Sequence, residues 1–221
     1  IAMTTSGNSG YAKSGDTITL TITASESVTG LACTIDGETA TMGGSGTSWT
    51  AALTISGDET AGAATFSCGS HVDAAGNAGS ADTSADSGSV IIDYTVPTVS
   101  SIAVTGVTSG QYGTASTYTV IVTGSEALDA APTLSLAGGS VGSGTGSSSD
   151  TVWTYTFTPT DADESVTIDV AAGAITDLAG NDNTAAATQF AFTHDATDPT
   201  LSTIAMTTSG NSGYAKSGDT I

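Results

Sequence analysis

Residues 1–18 read IAMTTSGNSGYAKSGDTI, and residues 204–221 read the same eighteen letters. A perfect match at an offset of 203 positions marks a stretch of tandem array with a 203-residue period. A weaker repeat is nested inside it. Ile1-Ala2-Met3-Thr4 has a counterpart in Ile102-Ala103-Val104-Thr105, and TITASE (21–26) in VIVTGSE (120–126). DAAGN (73–77) returns as DLAGN (177–181), and DYTVPT (93–98) as DATDPT (195–200). Four landmarks in one order, 100 to 104 positions apart, predict two related domains per period. These are 1–96, its first strand cut at Ile1, and 97–198, with 199–221 opening the next copy of the first. The chain therefore reads as a fragment that stops at Ile221 inside a strand.

The apolar residues sit in short alternating runs. Thr17–Ala24 alternates Thr with Ile, Leu and Ile, the period-two mark of a half-buried strand. Similar runs are 31–35, 49–55, 63–68 and 90–94, then 100–105, 118–122, 133–136, 152–157, 165–170 and 189–193. Gly, Ser, Asn and Asp clusters separate them, and no stretch keeps a helical period for ten residues. Six or seven short strands per hundred residues predict an all-β chain of Greek-key β-sandwiches. Few residues link the domains, and Pro97 and Pro199 stiffen those links, so the sandwiches are expected to form an extended rod.

Charge narrows the function. The chain has 22 acidic residues against Lys13 and Lys216, with no arginine, for a net charge of −20. Nucleic-acid binding needs cations to neutralise phosphate, so that class is excluded, and anionic lipid is a poor partner. No apolar run approaches the length of a membrane span.

The positions of the acids are more telling. In a Greek-key sandwich the B–C and F–G loops gather where the chain comes in, and the E–F loop lies where it leaves. Glu26 and Asp73 in the first domain, and Glu126 and Asp177 in the second, would face the incoming linker. At the first junction the linker adds Asp93, with Asp58 or Glu59 reaching across from the first domain. At the second, Asp195 and Asp198 join Asp161, Asp163 or Glu164, to be completed by copies of Glu26 and Asp73 in the next period. Clustered carboxylates without a cation repel one another, whereas Ca2+ takes six to eight oxygen ligands. Calcium at the interdomain junctions is therefore the expected cofactor. Each acid taken alone also fits a solvated loop, and DxAGN also suits an Asx turn. The DLAGNDN stretch (177–183) does not match the EF-hand loop.

The SE ending of strand B, the DxAGN turn and the D-x-T-x-P-T hinge together resemble the bacterial immunoglobulin-like repeats of giant surface adhesins. The resemblance covers nearly the whole chain, with two of every landmark. It implies tandem immunoglobulin-like sandwiches at the cell surface, with calcium stiffening the joints through Glu26, Asp73, Glu126, Asp177, Asp93 and Asp195. The second hinge departs from the first by its extra Asp198.

Cys33 and Cys68 fall in neighbouring C and F strands, and an extracellular setting predicts a disulfide between them, buried thiols being the alternative. His71 and His194 have no second imidazole nearby in sequence and read as structural or surface residues. Trp49 and Trp153 read as core rather than as sugar-stacking platforms. No nucleophile elbow, zinc-ligand spacing or phosphate loop is present, and an enzyme is not expected. The leading expectation is a structural or adhesive extracellular stalk whose main partners are neighbouring repeats in the same chain. One alternative is a glycan- or ice-binding module, which predicts exposed aromatics or a regular Thr array on one sheet face of each domain. The other is a self-assembling sheath or lattice with lateral contacts between chains.

Overall fold

The alternation of Thr with Ile and Leu at 17–23 sets the first half of the fold, because it gives one strand an apolar face and a hydroxyl face. The computed structural model describes all of residues 1–221 and contains no helix. In the first module the strands are β1 (Ala2–Thr5), β2 (Tyr11–Ala12), β3 (Thr17–Val28), β4 (Ala32–Ile35), β5 (Glu38–Thr39), β6 (Thr41–Thr54), β7 (Gly62–Ala63), β8 (Phe66–Gly69) and β9 (Ile91–Ile92). One sheet runs β1-β3-β6, and facing it are the short sheets β2-β9-β7 and β5-β4-β8. Ile18, Leu20 and Ile22 of β3 pack between them against Ile35, Ala51, Phe66 and Ile92. Cys33 and Cys68 stand opposite each other in the β4–β8 register and are joined by a disulfide, so the thiol alternative falls.

The second module repeats the plan with strands of more even length: β10 (Val99–Val104), β11 (Tyr112–Gly113), β12 (Tyr118–Gly124), β13 (Ser135–Ala137), β14 (Gly139–Val141), β15 (Val152–Pro159), β16 (Asp163–Asp169) and β17 (Phe190–Asp195). The four-stranded sheets β10-β12-β15-β14 and β11-β17-β16-β13 enclose a separate core. Here aromatic rings replace the disulfide. Phe192 packs edge-on against Tyr118, Phe157 and Phe190, and the Tyr118 hydroxyl hydrogen-bonds Nδ1 of His194 at 2.9 Å, with that histidine only 4% exposed.

The short strands β2, β5, β11 and β14 carry too few alternating positions to register as periodic runs. β2 and β11 pair in parallel with β9 and β17 within their sheets, a long-range match that no local pattern announces.

Residues 199–221 form no strand, and Ile221, expected inside one, is exposed coil. In the first copy, β1 pairs with Ile18–Thr21 of β3, which in turn lies against β6. The sequence holds no second copy of residues 19–54 to supply that pairing.

Candidate functional site at the first junction

Two loops and the linker converge where the first module meets the second. β12 ends at Gly124 and runs on into Ser125-Glu126, and its antiparallel pairing with β10 sets that end beside Val99, the first residue of β10 after the linker. The Ser125 hydroxyl accepts from the Thr98 amide at 2.9 Å, and the Ser125 amide donates to the Thr98 carbonyl at 2.8 Å. The β16–β17 connection carries the DLAGN turn to the same end, where a backbone bridge joins Leu128 to Asp177.

The turn is built by its own residues. Oδ1 of Asp177 accepts the Asn181 amide at 2.8 Å, and Gly180 takes φ 87°, which favours glycine. The Asn181 amide nitrogen Nδ2 donates to Asp177 Oδ2 at 2.9 Å, and also to the linker carbonyls of Asp93 (3.1 Å) and Thr95 (3.2 Å). Asn181 thus ties the turn to the hinge, a role that the DxAGN pattern alone does not reveal. In the first module DAAGN folds alike, with Asp73 accepting the Asn77 amide at 2.8 Å and its side chain at 2.7 Å.

The outcome is a three-carboxylate cluster: ligand oxygens of Asp93, Glu126 and Asp177 all lie within 4.8 Å of one another. Asp177 is 1% exposed, and Asp93 and Glu126 are half-buried. Oε1 of Glu126 is buried and receives no hydrogen bond. Burial, reinforced by the charges of Asp177 and Asp93, pushes the Glu126 carboxyl above its ordinary value. This arrangement fits a hard cation. Two oxygens sharing an ion at about 2.4 Å each can stand no more than about 4.8 Å apart.

The other acids singled out from sequence are placed differently. Glu59 does not reach the cluster. It is 8% exposed and turned into its own loop, where it accepts from the Ser56 and Gly57 amides and from the Tyr94 hydroxyl at 2.9 Å. Burial raises the Glu59 carboxyl, but those donors outweigh it and hold it at about 2. Glu164 plays the matching part in the second module, accepting from the Thr160 and Asp161 amides. Asp163 faces Asp195 across the β16–β17 pair and accepts the Thr197 hydroxyl at 2.7 Å, which holds its carboxyl low. Asp58, Asp161 and Asp198 are exposed, as is Glu26, and none of Glu26, Asp73, Asp161, Asp163, Asp195 and Asp198 joins a group of three clustered ligands.

Trp153 is buried in the second core, and Trp49 packs against the first with its indole N–H on the Gly46 carbonyl. Trp153 therefore offers no stacking face, and Trp49 is half-buried. The outer face of β1-β3-β6, by contrast, presents Thr4, Thr19, Thr21, Thr23, Thr50 and Thr54 with no charged side chain among them. In the second module the corresponding face carries Thr119, Thr154 and Thr156 but is interrupted by Ile121 and Val152.

Residues 93–194 match the bacterial Ig-like domain family, and the matched span runs from the linker aspartate to the end of β17. Among solved structures, the chain is similar to SGBP-B of the Bacteroides ovatus mixed-linkage glucan utilization locus, in complex with a mixed-linkage heptasaccharide. The identity is 18% and the TM-score 0.25, over 83% of this chain and 42% of that one. The chain thus spans under half the length of that structure. No curated protein matches it.

Proposed function

We propose that this protein, whose residues 93–194 belong to the bacterial Ig-like domain family, is an extracellular repeat protein with a structural or adhesive role, its modules joined by calcium into a stiff stalk at the cell surface. The observation that carries the reading is the meeting of Asp93, Glu126 and Asp177 across a module boundary with Glu126 Oε1 buried and undonated. An isolated loop acid needs no partner, but a buried, repelled carboxylate does. A calcium ion would be held by those three side chains, with hydration or main-chain oxygens filling its remaining positions. Its chemistry there is charge neutralisation and cross-linking of three chain segments.

The repeat of the first eighteen residues supports a tandem array, and the proline-marked linkers support an extended arrangement of its modules. The protein is read as non-catalytic, since its chemistry-bearing side chains serve turns, linker and core. The disulfide, the near-absence of basic residues and the family membership together favour a place outside the cell. Calcium titration of the chain, following melting temperature and the freedom of one module relative to the other, tests the proposal. A rise in melting temperature with a loss of intermodule motion is the expected result; no change in either removes calcium from the account.

A second reading has its own observation. The uncharged Thr face of the first module is a flat hydroxyl array of the kind a glycan or another copy of the chain could cover. Its interruption in the second module ranks this reading below the first.

A further inference from the structure

The first junction is also fastened by groups that have nothing to do with the carboxylates. The Lys13 ammonium, from the residue following β2, donates to the Gly180 carbonyl in the DLAGN turn. Beside it, Asn8 Nδ2 donates to the Leu178 carbonyl at 3.1 Å. A Cβ at Gly180 would lie 3.3 Å from Lys13 Nζ, whereas one at Gly76, the matching glycine of the first module, would meet nothing within 4 Å. From the linker side, Tyr94 is bonded to the buried Glu59 of the first module, and Asn181 of the second grips the carbonyls on either side of that tyrosine. Four side chains therefore join module, linker and module with no ion involved.

The second-type module and its hinge lack two of these side chains. The hinge DATDPT has Ala196 where the first has Tyr94, and β11 is followed by Thr114 where β2 is followed by Lys13. Alanine offers no hydroxyl, and threonine is too short and uncharged to do the work of a lysine. The extra Asp198 adds negative charge at the joint that has no cation of its own.

We infer that Lys13, Asn8, Tyr94 and Asn181 form a preset, ion-independent latch at the joint after each first-type module, a latch whose lysine and tyrosine the second-type module and its hinge do not carry. At the latched joint the cation of the proposed function would tighten a site already assembled, because Asn181 and Tyr94 hold the backbone around Asp93.

The latch concerns this chain's own residues and is separable from the calcium reading. The test uses residues 1–221, measuring residual dipolar couplings of both modules in chelator and in saturating Ca2+, for the natural sequence and for a Lys13→Ala/Asn8→Ala variant. Tyr94→Phe serves as a second, smaller perturbation that removes only a hydroxyl. The expected result is one shared alignment tensor for the natural chain even in chelator, and loss of sharing in the double variant in chelator. Restoration by Ca2+ would support both readings, and failure to restore would keep the latch while removing calcium. Separate tensors for the natural chain in chelator, or a double variant that keeps sharing there, would overturn the latch.

Discussion

Glu126 and Asp177 come from different loops of the second module, yet their carboxylates stand side by side against Asp93 of the linker, and no donor reaches Glu126 Oε1. The cluster therefore costs free energy whenever all three groups are charged and no cation is present. Glu126→Gln should stabilise the chain in chelator by about 1 kcal/mol, the size of a unit-charge contact at 4 Å in well-hydrated surroundings. The same substitution should abolish most of any calcium-induced rise in melting temperature. Paired thermal scans with and without Ca2+ check both outcomes.

Acid should act on this protein in two opposite stages. The Glu126 carboxyl titrates above its ordinary value, because burial and its acidic neighbours disfavour its charge. The native state then binds its proton more readily than the unfolded chain, so in chelator stability rises as pH falls through that raised value. Glu59 has the opposite sign. Held at about 2 against an ordinary 4.5, it contributes fully above 4.5, and the contribution is lost as pH falls towards 2. A melting-temperature profile in chelator should therefore peak in mild acid, and Glu126→Gln should flatten its rising limb.

Tyr94→Phe removes the hydroxyl that Glu59 accepts and leaves the ring in place. A hydrogen bond to a charged group contributes about 1.5 kcal/mol or more, so a loss of that size is expected in the first module's unfolding free energy. Denaturant unfolding monitored on the first module reads it. An unchanged midpoint would show that the linker is held by other contacts.

Reducing the disulfide should weaken one module only. Cys33 and Cys68 close a loop of 35 residues, for which chain entropy predicts about 4 kcal/mol. The second module has no cysteine and should melt unchanged. Two resolved transitions in reductant, against a smaller separation without it, would be the calorimetric signature.

The two DxAGN turns provide an internal control. Gly76 and Gly180 adopt φ 90° and 87°, so alanine at either should cost about 1–2 kcal/mol from the left-handed backbone alone. Only at Gly180 would the new methyl also press on Lys13, so only Gly180→Ala should loosen the joint between modules as well as its own domain. Dipolar couplings on the two variants separate local strain from joint loosening.

Much of this was legible in the residues. The Thr–Ile–Leu alternation marked β3, the SE and DxAGN pairs pointed to the end of the module where Glu126 and Asp177 meet, and Cys33 and Cys68 were read as cross-strand neighbours. Other assignments failed for a physical reason. Asp58 or Glu59 is expected to reach the junction, but a loop acid in sequence carries no sign of direction: Asp58 is exposed, and Glu59, held by the Ser56 and Gly57 amides, meets the linker at Tyr94 without joining the carboxylate cluster. No local pattern marks Lys13 and Asn8 as partners of the DLAGN turn, since their acceptors lie more than 160 residues away.

The duplicated segment separates the two levels within one chain. In both copies the Asn-to-Tyr turn closes at 2.8 Å (Tyr11 to Asn8, Tyr214 to Asn211), and the lysine amide donates to the aspartate three residues on at 2.9 Å. These bonds span only a few residues, so the sequence suffices to form them. Only the first copy becomes strands β1 and β2, because pairing and burial need β3, β6 and β9. Local turns belong to the sequence. Strands, the carboxylate cluster and the latch belong to the tertiary structure, since each needs partners from distant parts of the chain.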